Sequence, residues 1–200
     1  MSGRHLAVPL AIVAAVSCAT SPPPTASYDL TSRRLIRLDS DLNRDGTIDH
    51  RAYMDGNTPL RTESDQNGDG RVDRWEYYDA SARLLRVGTS TSGDGIEDTW
   101  THAVDADGER RVDISLVRDR AIDRREFYRD DGLVRAEGDS NGDGRIDRWE
   151  RYEAGELLQV SLDTTLSVER PNRRLTYNRN GQFQVIEIDP DGDGQWEPSK

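Results

Sequence analysis

Hydrophobic positions along the chain fall in short clusters, never in long stretches outside the first 17 residues. Trp75-Glu76-Tyr77-Tyr78, Leu84-Leu85-Arg86-Val87, Glu126-Phe127-Tyr128, Leu133-Val134, Leu157-Leu158-Gln159-Val160 and Phe183-Gln184-Val185-Ile186 are aromatic and branched, as strands are. Between such runs stand Asp55-Gly56, Asp107-Gly108, Asp131-Gly132, Ala154-Gly155 and Asn180-Gly181, the turn chemistry of β-hairpins. A helix competes at one place. Between Arg74 and Val87, Trp75, Tyr78, Ala82 and Leu85 recur at helical spacing with no glycine between them. Equivalent stretches carry Gly56 with Pro59, Gly132 and Gly155, which interrupt a helix. One fold must serve all of them, so the pattern predicts strand–turn–strand throughout.

The hairpins belong to a repeat. DLNRDGTIDHRAY from Asp41, DQNGDGRVDRWEY from Asp65, DSNGDGRIDRWER from Asp139 and DPDGDGQWEPSK from Asp189 align without gaps. Weaker copies begin at Ser90, Ser115 and Thr164, giving steps of 24, 25, 25, 24, 25 and 25 residues. A half unit from Tyr28 to Leu38 opens the array. The expected fold is all-β: tandem ~25-residue hairpins over residues 28–200, forming an extended meander or a solenoid with Asp-rich loops along one edge. The Tyr-Asp-x-x-Gly-x-Leu flavour of each unit resembles the YD repeats of bacterial RHS proteins.

Composition narrows the role. Acids outnumber bases 38 to 27, a formal charge of −11. Nucleic-acid binding needs a basic face and is not expected. The single Cys excludes an intrachain disulfide and a Cys-rich zinc site. Residues 1–17 have Arg4 and His5 followed by an 11-residue apolar stretch, Leu6 to Val16, too short to span a bilayer but suited to a signal peptide. They run through Ala15-Val16-Ser17 into Cys18, which resembles the lipobox of bacterial lipoproteins. That resemblance implies cleavage before Cys18, lipidation of Cys18, and a membrane as partner. Ala19 after the Cys, rather than Asp, implies an outer-membrane or surface destination in the cell envelope. Residues 18–27, with three consecutive prolines, read as a tether.

The loops carry the candidate chemistry. Asp41, Asn43 and Asp45; Asp65, Asn67 and Asp69; Asp139, Asn141 and Asp143; and Asp189, Asp191 and Asp193 each precede a glycine in one spacing. Alternate residues of a tight loop can point oxygens inward, and calcium wants six to eight of them. The pattern resembles the calcium loops of EF-hands, dockerins and thrombospondin type 3 repeats. The resemblance implies a backbone ligand at position seven: Thr47, Arg71, Arg145 or Gln195. Position twelve, an EF-hand's bidentate Glu, varies: Ala52, Glu76, Thr101, Glu126, Glu150, Leu175, Lys200. Position nine is uniform: Asp49, Asp73, Asp98, Asp123, Asp147, Asn172, Glu197. A strand after the loop carries position twelve about 10 Å away. Asp49, Asp73, Asp147 and Glu197 are therefore the expected closing ligands, and Glu76 and Glu150 are expected to pair with Arg74 and Arg148. Ser90, Ser92, Asp94 and Asp98 make a weak site; the copies at Ser115 and Thr164 are expected to bind nothing.

Nothing else builds a site. His50 and His102 lie in different copies at strand positions expected to face solvent, and no nucleophile has a partnered base. The arginine pairs are expected to serve cross-strand pairing. Trp75, Trp100 and Trp149 form a column that is either core or a platform for sugars. The expectation is a calcium-binding, lipid-anchored envelope protein, structural or adhesive and not an enzyme, with an envelope protein or glycan as possible partner. The alternatives are a calcium sensor with true EF-hand helices, and a glycan-binding or enzymatic protein whose calcium is only structural.

Overall fold

A computed structural model describes residues 23–165 and 170–199. The signal segment 1–17, Cys18 and the first part of the tether lie outside them. Fifteen strands form a single antiparallel sheet in sequence order. They are β1 (Thr25–Tyr28), β2 (Leu35–Ser40), β3 (His50–Asp55), β4 (Thr58–Ser64), β5 (Arg74–Tyr78), β6 (Leu84–Thr89), β7 (Thr99–His102) and β8 (Glu109–Ile114) in the first half. The second half holds β9 (Arg124–Arg129), β10 (Gly132–Gly138), β11 (Arg148–Glu153), β12 (Glu156–Leu162), β13 (Arg173–Tyr177), β14 (Phe183–Ile188) and β15 (Glu197–Pro198). Each strand touches only the strand before and the strand after it. The array is thus an open meander, not a coiled solenoid. There is no helix among the described residues, and residues 74–87 form the hairpin β5–β6 rather than the competing helix. The first strand starts at Thr25, so the last three residues of the expected tether belong to the sheet.

The turns are local chemistry. Between β9 and β10, Asp130 and Asp131 adopt φ of 47° and 62°, and between β11 and β12, Ala154 and Gly155 adopt 50° and 84°. Two-residue turns with positive φ match the right-handed twist of the strands they join. The glycine of Asp131-Gly132 therefore opens β10 instead of occupying the turn. Longer turns are closed by their first side chain: Asp79 accepts from the N–H groups of Ser81 and Arg83, and Asn178 from those of Asn180 and Gln182. Near six hairpin ends the register skips one residue, at Ile36, Leu60, Leu85, Val134, Leu158 and Gln184. Such bulges add twist.

With no second layer, little is fully buried. The buried apolar side chains are Trp75, Trp100, Ala136, Leu158 and Val160. Polar clusters do much of the cross-linking. One face carries an Arg-x-Glu-x-Tyr cluster on β5, β9 and β11. In each, the Arg donates to the Glu two residues on, and the Tyr hydroxyl donates to the same carboxylate: Arg74–Glu76–Tyr78, Arg124–Glu126–Tyr128 and Arg148–Glu150–Tyr152. Arg124 also reaches across to Glu150 at 2.8 Å, linking two clusters. The expected pairing of Glu76 with Arg74 and of Glu150 with Arg148 is thus present. On the opposite face, arginines lie over aromatic rings: Arg61 over Tyr53 at 4.5 Å, Arg86 over Tyr77 at 4.4 Å and Arg135 over Phe127 at 3.3 Å.

Candidate metal centre

Every link from an even strand to the next odd one falls at the same end of a meander. The loops 41–49, 65–73, 90–98, 115–123, 139–147, 163–172 and 189–197 therefore line one rim. They are joined by a ladder of their own. The N–H at position one donates to the carbonyl at position nine of the preceding loop: Asp65 to Asp49 at 2.8 Å, Ser90 to Asp73 at 2.9 Å, Ser115 to Asp98 at 2.8 Å, and Asp139 to Asp123 at 2.8 Å. The series continues with Asp163 to Asp147 at 2.8 Å and Asp189 to Asn172 at 3.0 Å. The sixth loop thus starts at Asp163, not Thr164, and is one residue longer than its neighbours. The sequence signal was an Asp directly after a strand, as Asp139 follows Gly138.

The four acid-rich loops share one internal geometry. The position-one carboxylate accepts from the N–H groups of positions four and six: Asp41 from Arg44 and Gly46, Asp65 from Gly68 and Gly70, Asp139 from Gly142 and Gly144, Asp189 from Gly192 and Gly194. Position three then accepts from the N–H of position five: Asn43 from Asp45, Asn67 from Asp69, Asn141 from Asp143, Asp191 from Asp193. Position five accepts from position seven: Asp45 from Thr47 at 2.7 Å, Asp69 from Arg71 at 2.8 Å, Asp143 from Arg145 at 2.9 Å, Asp193 from Gln195 at 2.7 Å. The chain winds around the side chains at one, three and five, with positive φ at positions four and six; Gly70 stands at 86° and Gly144 at 88°. These bonds favour the ionised acids. The Thr47 N–H holds Asp45 below the usual carboxylate range. Burial pushes Asp139 up, but the N–H groups of Gly144 and Gly142 prevail and lower it.

Position nine has a second job. Asp49 accepts from the N–H groups of Leu42 and Asn43 at 2.7 and 2.9 Å, Asp73 from Gln66 and Asn67 at 3.1 and 3.2 Å, and Asp147 from Ser140 at 2.8 Å. Copies poor in acids keep the same latch: Asp123 takes the Leu116 N–H at 2.6 Å, and Asn172 that of Thr164 at 2.9 Å. The uniformity of position nine therefore has a cause independent of any ion, namely the backbone donors of a tight loop. The last loop departs from this with a reason. Its position two is Pro190, which has no N–H, and its position nine is Glu197, exposed in β15.

The carboxylate oxygens of Asp189, Asp191 and Asp193 lie within 4.8 Å of one another, close enough to hold a metal ion. The first, second and fifth loops have Asn43, Asn67 and Asn141 at position three, and their acids at one, five and nine do not converge as closely. In the second loop one oxygen is left over: Asp73 Oδ1 is buried and has no hydrogen-bond partner. At position twelve, Glu76 and Glu150 are turned onto the sheet face and held by Arg and Tyr, away from the loops.

In the third loop Asp94 and Asp98 meet a cation from the protein itself. Arg118, at position four of the fourth loop, donates to Asp94 and sits 3.1 Å from Asp98 through Nε. The N–H of Ile96, then Arg118, lowers Asp94 to about 2. Only adjacency in the fold brings Arg118 there. The sheet face holds a parallel case. A Cβ on Gly88 would lie 1.7 Å from Glu97 Oε1. Glu97 reaches from the third loop over Gly88, and its other oxygen accepts from the Tyr77 hydroxyl at 3.0 Å. Glu63 does the same for Tyr53 from β4 itself.

The remaining candidates sort by face. His102, expected in solvent, is half-buried and hydrogen-bonded at 2.7 Å to the buried Asp113; His50 bonds Ser64. Trp75 and Trp100 are core, whereas Trp149 is half-buried and lines a groove of about 450 Å³ with Arg135, Arg151 and Gln159. No protein-family model and no curated protein matches this chain. The class it shows is structural: a single-layer antiparallel β meander of tandem hairpins with acidic loops on one rim.

Proposed function

We propose that this chain is a calcium-binding protein of the cell envelope, anchored by lipid on Cys18 to a membrane, the outer membrane by preference, with a structural or adhesive role. The loops opened by Asp41, Asp65, Asp139 and Asp189 take the ions. The observation that carries the reading is the close approach of the Asp189, Asp191 and Asp193 carboxylates. Three like charges so near repel one another, and a divalent cation offsets that cost. The buried, unpartnered Asp73 Oδ1 supports it in the second loop. Each loop would offer its side chains at one, three and five and the carbonyl at seven; in the first three Asp49, Asp73 and Asp147 at nine would join them, Asp73 through its unpartnered Oδ1. That many oxygens on a flexible loop suits calcium better than magnesium, which holds to a strict octahedron and keeps its waters. The open, single-layer faces suit contact with other envelope molecules better than catalysis, and the −11 charge argues against nucleic acid. Calorimetry of calcium into chelated protein tests the reading. It should report about four ions and a raised melting temperature, since a ligand at a hundredfold excess over its dissociation constant adds about 2.7 kcal/mol per independent site. No heat and no thermal shift would overturn it.

A further inference from the structure

We propose that the third loop is a cation site whose resident cation is the Arg118 guanidinium, so that the middle of the array, residues 90–123, keeps its loops without metal while the flanking loops depend on it. The dependence of the flanks rests on the calcium reading above; the Arg118 site does not.

The geometry is specific. Arg118 bridges the acids at positions five and nine of the third loop, Asp94 and Asp98, with Nε 3.1 Å from Asp98 Oδ2. Asp98 is 2% exposed, the deepest acid on the rim. Its other partners are neutral donors: the Thr91 N–H and hydroxyl at 3.2 and 2.8 Å and the Thr99 hydroxyl at 3.1 Å. Asp94 faces the Ser90 hydroxyl at 3.1 Å and the Ile96 N–H at 3.0 Å. Arg118 is thus the one cation within ion-pair distance of the buried Asp98 and the half-buried Asp94 among the described residues. An unpaired buried carboxylate would cost far more than a paired one. Ser90 replaces the acid at position one, and Ser92 stands where the first, second and fifth loops have Asn, so a single positive charge faces two negative ones rather than three.

The site is built by the ladder. Position four has positive φ and points back toward the preceding loop; Arg118 holds φ of 62° there. In the second and third loops that position is Gly68 and Gly93, with no side chain to reach into the first and second loops. Those two loops keep their acids at one, five and nine. The fourth loop needs no cation of its own to close: Asp123 latches Leu116, and Ser115 stands in for the position-one acid, its hydroxyl accepting from the Arg120 N–H at 3.2 Å.

Hydrogen exchange on the full chain, with calcium and with chelator, tests this, using Arg118→Gln and Arg118→Lys as variants that share the same backbone demand. In the wild type, chelation should leave exchange over 90–98 and 115–123 within about twofold, while 65–73 and 139–147 exchange at least about tenfold faster. In chelator, Arg118→Gln should speed exchange over 90–98 at least about tenfold, and Arg118→Lys should retain most of the protection. Opening of 90–98 on chelation of the wild type, or equal behaviour of Gln and Lys, would overturn the proposal. If chelation changes no loop, the calcium reading fails, and the Gln–Lys comparison in chelator still decides whether Arg118 is the resident cation.

Discussion

Position nine separates two roles that look alike in the sequence, and Asp147 is the place to divide them. Its carboxylate, 6% exposed, accepts the Ser140 N–H at 2.8 Å and the Ser140 hydroxyl at 2.8 Å, and also meets Asn141 Nδ2 at 3.2 Å. Hydrogen bonds to a charged group contribute about 1.5–3 kcal/mol each, and a donor left without a partner adds its own desolvation cost. Losing the two Ser140 bonds in Asp147→Ala should therefore cost the loop about 3 kcal/mol. Asparagine keeps an oxygen in the same place, as Asn172 does for Thr164 in the sixth loop. Asp147→Asn should cost only about 1 kcal/mol, the difference between a charged and a neutral acceptor. Because repeats open locally, amide exchange is the better assay than a global midpoint. At 1.36 kcal/mol per decade, the Ser140 amide should exchange about 100-fold faster in the Ala variant and about fivefold faster in the Asn variant, both in chelator. If Ala and Asn open the loop equally in chelator, the latch is refuted. If the Asn variant keeps the latch but loses one calcium ion, the Asp147 carboxylate is a ligand as well.

The other predictions concern the sheet. Glu97 fills the space over Gly88, so Gly88→Ala should displace it and lower the urea midpoint by an overpacking cost of about 1–3 kcal/mol. The exchange Gly88→Glu with Glu97→Ala, which restores the arrangement of Glu63 and Tyr53, should be milder than Glu97→Ala alone; an additive loss would sink the idea. Glu150 is buried between Arg124, Arg148 and Tyr152, so Glu150→Ala should cost about 1.5–3 kcal/mol by removing a charged acceptor from Arg148 and Tyr152 and leaving Arg124 with Glu126 alone, read as a fall in melting temperature. Acid should loosen these clusters in a defined direction. The Tyr78 hydroxyl lowers Glu76; burial raises Glu150, but Arg124 and Tyr152 outweigh it. Their stabilisation is complete above the unfolded value of about 4.3 and is lost as pH falls through the lower folded values. A fluorescence titration should show no loosening from pH 7 to 5 and a progressive one below about 4; loosening already at pH 6 would contradict it.

Much of the molecule was legible in the residues. Asp-Gly and Ala-Gly turns, the 25-residue recurrence and the strand-like runs led to hairpins in sequence, because two-residue turns and period-two patterning are local. The loops were legible for the same reason: an Asp accepting from the N–H groups three and five residues on requires no distant partner. What went astray was also physical. Thr164 was aligned as a loop start because the sixth loop has an extra residue, and only the ladder bond from Asp163 to the Asp147 carbonyl shows the shift. The constancy of position nine reads as ligation alone in the sequence, and the structure adds a second role for it, since Asp123 and Asn172 latch backbone in acid-poor loops as well. His102 read as a solvent position until Asp113, eleven residues away, was beside it.

By itself the sequence determined the local structures: strand, turn, acid-rich loop, and their order along the chain. Those depend on torsion preferences and on hydrogen bonds spanning at most a loop's length. The tertiary structure alone decided that the hairpins lie side by side in one open layer, since that choice rests on pairing between units. Side-by-side pairing is also what sets position four of one loop against the acids of the loop before it. A guanidinium 24 residues from Asp94 becomes its counter-charge because two strand spacings, about 10 Å, are within an arginine's reach.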